Sequence, residues 1–299
     1  MPVGPQDVVL VTGAGGSLGL ETVLALAQRG FRVFAGVRDA DSQRRIEEAA
    51  QQRALSVQPV LLDVDDEESA AAAVAAVAGA AGGLYAAVNI AGVQVRGYFE
   101  DLDEAEIRRV FEVNVFGAMR VTREVLPYLR AAGRGRIVMM SSVAGRIGSM
   151  GLSAYVASKF ALEGFAESLA LEVQPLGIGV SIVEPGIVRT DIWGRNRGIA
   201  VRALDPAGPY HEWFKRAERE ADRLVETSTL TPRLVAAEVV RALTEARPRL
   251  RYVVGSRASL VVSLRRHLPG ELFERLYFGE VLRRVTGRRR LDRQGHQRA

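Results

Sequence analysis

Val8-Val9-Leu10-Val11-Thr12-Gly13-Ala14-Gly15-Gly16-Ser17-Leu18-Gly19 is a short apolar run that ends in a glycine-rich turn and leads into helix-forming residues. Four apolar residues without a polar interruption read as a strand buried on both faces. Glycines let the chain turn tightly and approach a bound group closely, and the N-terminus of the helix that follows favours an anion. Ordinary turns use glycine too. At the end of the first strand of a βαβ chain, however, such a cluster points to a dinucleotide.

Outward from this turn, short apolar runs alternate with segments of helical period. A helix over 18–29 closes at Gly30; strands follow over 32–37 and 57–62, with helices over 41–52 and, alanine-rich, over 67–78. Further strands are expected over 86–89, 136–140, 180–184 and 252–254, separated by a long helix over 103–130 bent at Pro127 and another over 152–171. This alternation predicts an α/β fold of Rossmann type: a doubly wound, parallel, seven-stranded sheet with helices on both faces. The pattern breaks after Asp191. Residues 191–230, with Trp193, Tyr210, Trp213 and Phe214, suit a mobile, partly helical lid beside a site. Thr231-Pro232 starts a helix with a capping hydroxyl and then proline at the first helical position. The reading is a catalytic domain over 1–255 and a helical extension over 256–299, with amphipathic stretches at 258–268 and 271–282.

Composition excludes several chemistries. The 299 residues contain no cysteine, so neither disulfides nor thiolate chemistry is available, and the three histidines (His211, His267, His296) lie far apart. A histidine-rich metal site and a Ser-His-Asp triad are therefore not expected, and no metal is assigned. No apolar run reaches the roughly 20 residues of a membrane span, and the N-terminus lacks the pattern of a secretory signal, so a cytoplasmic protein is expected. The net charge of +5 is local: residues 283–299 carry seven arginines and one aspartate, which leaves the remainder near neutral. Nucleic acid is not an expected partner, and the basic tail leaves peripheral contact with a membrane surface as a minor option.

Of the 40 basic residues only Lys159 and Lys215 are lysine, and Lys159 follows Tyr155 by four positions. A compact ammonium does what a flat guanidinium cannot, and the i, i+4 spacing places it on the helix face of the phenol. Lowering a tyrosine from about 10 to about 7 takes roughly 4 kcal/mol, which a unit charge about 4 Å away supplies at an effective dielectric of 20. An isolated pair of this kind would be an exposed helix contact worth a few tenths of a kcal/mol. NAD binders usually carry an acid for the ribose 2′-hydroxyl at the end of the second strand; this chain has Gly36 there and Arg38 two residues on. Arginine suits a 2′-phosphate, which favours NADP(H); Asp39 and Asp41 follow closely and leave NAD(H) open.

Together these residues resemble the short-chain dehydrogenase/reductase family over about residues 7–255. Thr12 to Gly19 is similar to that family's TGxxxGxG loop, with Ser17 in place of the middle glycine. Asn89-Ile90-Ala91-Gly92 is similar to its NNAG segment, with Ile90 in place of the second asparagine. The resemblance implies a catalytic set of Asn114, Ser142, Tyr155 and Lys159. It implies cofactor contacts from Gly13, Gly15, Gly16, Ser17, Leu18, Gly19 and Arg38, and from Asp63 and Val64 at the adenine. Asn89, Ala91 and Gly92 would line the cofactor, Tyr155 and Lys159 would face the nicotinamide ribose, and Pro185, Gly186, Val188 and Thr190 would hold the carboxamide. Asn114 would interrupt its helix to hold a water in a proton relay. The implied reaction is hydride exchange between NADP(H) and a carbonyl or alcohol, with an apolar pocket built from Ile147, Met150, Leu152, Ile192 and Trp193. A homodimer or homotetramer is implied as well.

Two other classes compete. A cofactor-binding regulator without turnover has no need of Ser142, Tyr155 and Lys159 together. A sugar-nucleotide isomerase or lyase generally carries a larger C-terminal domain than residues 256–299 provide.

Overall fold

In the computed structural model, which describes residues 7–194 and 196–286, the strands are β1 (Val8–Val11), β2 (Arg32–Val37), β3 (Val57–Leu61), β4 (Ala86–Asn89), β5 (Val95–Arg96), β6 (Gly135–Met140), β7 (Ile178–Pro185), β8 (Gly198–Ile199) and β9 (Arg251–Val254). The helices are α1 (Ser17–Gln28), α2 (Ala40–Gln52), α3 (Glu67–Ala81), α4 (Glu104–Phe111), α5 (Ala118–Ala132), α6 (Ser153–Val173), α7 (His211–Glu226), α8 (Pro232–Thr244), α9 (Ser256–His267) and α10 (Gly270–Thr286). Seven strands form one parallel sheet in the order β3-β2-β1-β4-β6-β7-β9. The chain winds outward from β1 to β3 and then returns to place β4 on the other side of β1. That reversal opens a crevice beyond the carboxyl ends of β1 and β4, where open α/β sheets bind ligands.

Alternation along the strands builds a core on each face. Val8 and Leu10 of β1, with Ile137 and Met139 of β6, meet Val77, Val125 and Leu162 from α3, α5 and α6. Val9 and Val11, with Val138 and Met140, meet Leu26, Ile46 and Val239 from α1, α2 and α8. The alanine-rich α3 is capped by Asp66, which accepts from the Ser69 N–H at 3.1 Å, and is stopped by Gly82 at φ 71°. Thr231 caps α8 ahead of Pro232, as the sequence predicts. No helix among the described residues is long and apolar enough to cross a membrane. The arginine-rich tail beyond Thr286, including His296, lies outside the described residues.

The expected single helix over 103–130 is two helices joined by a π-helical stretch, Glu112–Gly117. Pro127 sits inside α5 without ending it, so the interruption precedes the proline. Its seat is steric: a Cβ on Gly117 would lie 2.8 Å from Val64 Cγ2. The expected lid is a built element. Its strand β8 pairs with β5 in a two-stranded parallel ribbon, and α7 covers 16 of its residues. Arg96 and Arg197 both pair with Glu218; Arg96 lies over the Trp193 ring at 5.0 Å, and Tyr98 stacks on Tyr210 at 4.8 Å.

Candidate functional site

A cleft of about 1450 Å³ runs across the carboxyl ends of the sheet, from Arg38 to α10. Its floor is the glycine turn. Gly13 has φ +64°, and a Cβ there would lie 2.7 Å from Ala91 Cα, so the turn after β1 and the turn after β4 touch at the switch point. Thr12 Oγ1 fastens the two, accepting from the N–H groups of Ile90 (3.0 Å) and Ala91 (3.1 Å). Gly16 stands at the N-cap of α1 with no side-chain cap. A Cβ on Gly16 would meet only the Gly13 carbonyl, at 3.7 Å. The first turn of α1 is thus an uncrowded helix N-terminus suited to a pyrophosphate. One protein group already uses it: the Ser17 N–H donates to Asp191 Oδ2 at 3.1 Å, and the Asp191 N–H donates to Ser17 Oγ at 3.2 Å.

The end of the cleft beside β2 is lined by exposed Arg38 and by Arg45, which donates to Ser42 Oγ (2.9 Å) and Gly15 O (3.2 Å). The Asp39 carboxylate caps α2, accepting from the Ser42 N–H at 2.7 Å, and this bond holds its carboxyl below the usual range. Asp41 pairs with Arg44. Both acids near the end of β2 therefore have local employment. Asp63 Oδ1 accepts from the Asp65 N–H at 3.2 Å, and Val64 packs beneath.

At the other end, α6 brings Tyr155 and Lys159 under the turn after β6. Ser142 Oγ accepts from the Ala144 N–H at 3.1 Å and donates to Pro185 O at 3.4 Å, and it lies near enough to the Tyr155 phenol to lower its pKa. Lys159 Nζ donates to Met140 O at 2.8 Å and lies 5.7 Å from the centre of the Tyr155 ring. Burial pushes the phenol up to about 12, against the effect of Ser142. Burial also pushes the Lys159 ammonium down to about 8, against the pull of Glu163. The sequence predicts a phenol made acidic by its lysine; here the phenol is raised instead. The ammonium is committed to a carbonyl, and withdrawal from water dominates both groups.

Gly13, Gly15, Gly16, Ser17, Leu18, Gly19, Arg38, Asp63, Val64, Ala91, Gly92, Ser142, Tyr155, Lys159, Pro185, Gly186, Val188 and Thr190 all line the cleft. Two of the expected residues stand behind it. Asn89 points into the body, where its Nδ2 donates to Thr122 Oγ1 at 3.3 Å and faces Met139 Sδ at 3.5 Å. Asn114, in the π-helical stretch, donates to Val93 O (2.9 Å) and Ser158 Oγ (3.0 Å) and accepts from the Val93 N–H (2.8 Å). Its amide braces the segment beside Lys159 instead of reaching into the cleft. Over the reacting end, Ile147, Met150, Leu152 and Trp193 face Leu224 of α7 and Val281 of α10.

The short chain dehydrogenase family model matches residues 7–198. This chain is a short-chain dehydrogenase/reductase. It is 36% identical to the uncharacterized oxidoreductase YusZ of Bacillus subtilis over 90% of this chain and 96% of that one. It is 34% identical to retinol dehydrogenase 8 of Bos taurus over 89% and 88%. Among solved structures, a short chain dehydrogenase/reductase from Burkholderia phymatum in complex with NAD superposes with a TM-score of 0.77 at 25% identity, covering 91% of this chain and 95% of that one. The chain is therefore an NAD(P)-linked oxidoreductase acting on a small molecule.

For this short-chain dehydrogenase, sequence reading missed Arg45 and the bond from Asp191 to the glycine turn. Arg45 sits in a polar helix that reads as a solvated face; its distance from Arg38, two helical turns along, was the available signal. From the C-terminal extension, α10 lines the cleft through Tyr277, Val281 and Val285.

Proposed function

We propose that the chain is an NADP(H)-dependent enzyme interconverting a ketone or aldehyde and the corresponding alcohol on a lipophilic substrate. The observation that carries this reading is the meeting of Ser142, Tyr155 and Lys159 in the same cleft as the uncrowded N-terminus of α1 at Gly16. The cradle around Gly13 and Gly15, which side chains would fill, fits a dinucleotide. The cofactor would lie with its pyrophosphate on Gly13–Gly19, its adenine by Asp63 and Val64, and its nicotinamide by Pro185–Thr190. When bound, the nicotinamide supplies or accepts the hydride.

Tyr155, protonated at neutral pH by virtue of its raised phenol, gives its proton to the substrate oxygen in reduction and takes one back in oxidation. Ser142 fixes that oxygen beside the phenol. Lys159, mostly charged at pH 7, offsets the charge left on Tyr155, and Asn114 braces Val93 and Ser158 around it. The apolar walls from Ile147, Met150, Trp193 and Val281 favour a lipophilic substrate. Arg38 and Arg45 supply positive charge for a 2′-phosphate, while Asp39 is spent on capping α2. Exposed Phe116 and Phe160 support self-association as a homodimer or homotetramer. A cytoplasmic setting, where NADP pools are kept reduced, is part of this proposal.

Titration with NADPH and NADH, following nicotinamide fluorescence, tests the cofactor. NADPH should bind at least about tenfold more tightly, and Arg38→Ala or Arg45→Ala should each remove about 1.4 kcal/mol of that preference while leaving NADH unchanged. Equal binding of both cofactors, indifferent to the two arginines, would sink the NADP(H) assignment. Oxidation of NADPH by long-chain or polycyclic ketones, and not by acetone, is the expected substrate pattern.

A further inference from the structure

Beneath the reacting end of the cleft, Lys159 adjoins a charged cluster whose acids and arginines the reaction as described does not use. Glu184 of β7 is fully buried, and Glu163 and Lys159 of α6 are 5% and 4% exposed. Arg251 of β9 bridges the two acids, its Nε 3.1 Å from Glu163 Oε2 and 3.1 Å from Glu184 Oε1. Arg146, on the turn that carries Ser142, donates to Glu184 Oε1 at 3.0 Å. Arg251 also reaches Glu167 at the surface, at 3.3 Å. The remaining oxygens, Glu163 Oε1 and Glu184 Oε2, are buried without a hydrogen-bond partner among the described residues, as is Ser141 Oγ. A side chain on Gly145 would run into Ser141 Oγ at 2.6 Å and Glu163 Cγ at 3.0 Å, so the turn bearing Ser142 lies directly on this cluster.

Glu163 follows Lys159 by four residues, which puts the two on one face of α6. A buried ammonium with a carbonyl as its hydrogen-bond acceptor is costly to keep charged. Glu163 is the negative charge that acts on Lys159 against this cost. Glu184 is answered by two guanidinium groups, and its carboxyl is raised by burial and then by the neighbouring Glu163. Glu167 is half-exposed and screened by water. We propose that Glu163 is a positioning residue for the reaction: clamped by Arg251, its carboxylate holds the buried Lys159 ammonium in the charged form that Tyr155 requires. This rests on the reading of Tyr155 and Lys159 as the proton-transfer pair.

The chain has only two lysines, so protein labelled with carbon-13 lysine gives two side-chain signals, assigned through Lys215→Arg. Titrated by NMR, the Lys159 signal should have its midpoint near 8 in the parent protein. Glu163→Gln should lower it by about one pH unit or more, Glu163→Asp should restore most of the difference, and Glu167→Gln should leave it in place. Arg251→Gln, which leaves the Glu163 charge unshared, should move the midpoint upward; this variant decides the matter if Glu163→Gln does not fold. In turnover, Glu163→Gln should lose rate from a lower pH on the alkaline side. A folded Glu163→Gln protein with an unmoved Lys159 midpoint, or Arg251→Gln without an upward shift, overturns the inference. The titration needs no substrate. A midpoint that moves as expected in a protein without carbonyl turnover would instead refute the proposed activity and leave the Glu163–Lys159 coupling intact.

Discussion

Tyr155→Phe is expected to lower kcat by about 10²–10⁴-fold while leaving NADPH affinity and thermal stability close to those of the parent. Ser142 is the polar side chain acting on the phenol, so removing the oxygen costs about 1 kcal/mol at most and leaves the ring in place. The pH dependence gives a second reading. With the phenol raised to about 12, Tyr155 stays protonated through the neutral range, and the loss of reduction above about pH 8 should follow deprotonation of Lys159. Steady-state assays across pH 6–10 on parent and variant check both points. Undiminished turnover in the phenylalanine variant would remove Tyr155 from the mechanism.

Gly13→Ala should damage fold and cofactor site together. Its φ of +64° costs a non-glycine residue about 1–3 kcal/mol. The added methyl would also drive the turn after β1 from the turn after β4, since Ala91 Cα would be 2.7 Å away; overpacking of this kind costs about 1–3 kcal/mol. The expected outcome is a fall in Tm of about 5–15 °C and a loss of at least about tenfold in dinucleotide affinity. Gly30→Ala is the control. It shares a positive φ of 90° but has nothing within 4 Å of the new Cβ, so it should cost only the conformational part and spare the affinity. If Gly13→Ala melts with the parent and still binds NADPH normally, the contact between the two turns does not shape the site.

The parallel sheet was legible because its signals are local: β1 is an uninterrupted apolar run, β4, β6 and β7 are short and mostly apolar, and α8 announces itself through Thr231-Pro232. The π-helical stretch was signalled only at Asn114, through the family resemblance; Glu112 to Gly117 carries no local period that sets its bounds, and the loosening goes with contacts of Gly117 and Asn114 with distant segments. Pro127, where a bend is expected, lies inside α5 and does not end it. The two-residue ribbon of β5 and β8 is too short to carry a period. At the site, residue types and spacing brought Ser142, Tyr155 and Lys159 to one place. Their electrostatics were not legible, because burial and the Met140 carbonyl come from the fold. Asn89 shows the same limit: a motif fixes a residue's position along a strand, whereas its side chain turned toward Thr122.

The paired bonds between Ser17 and Asp191 join the turn proposed to receive the dinucleotide to the start of the segment expected to be a lid. An anion arriving at the α1 N-terminus competes with the Asp191 carboxylate for the same N–H group, and whatever loosens that carboxylate also shifts the segment carrying Ile192 and Trp193 to the pocket. Occupancy at one end of the cleft thus has a free-energy cost or gain at the other. By linkage the effect is mutual: the factor by which cofactor alters substrate affinity equals the factor by which substrate alters cofactor affinity.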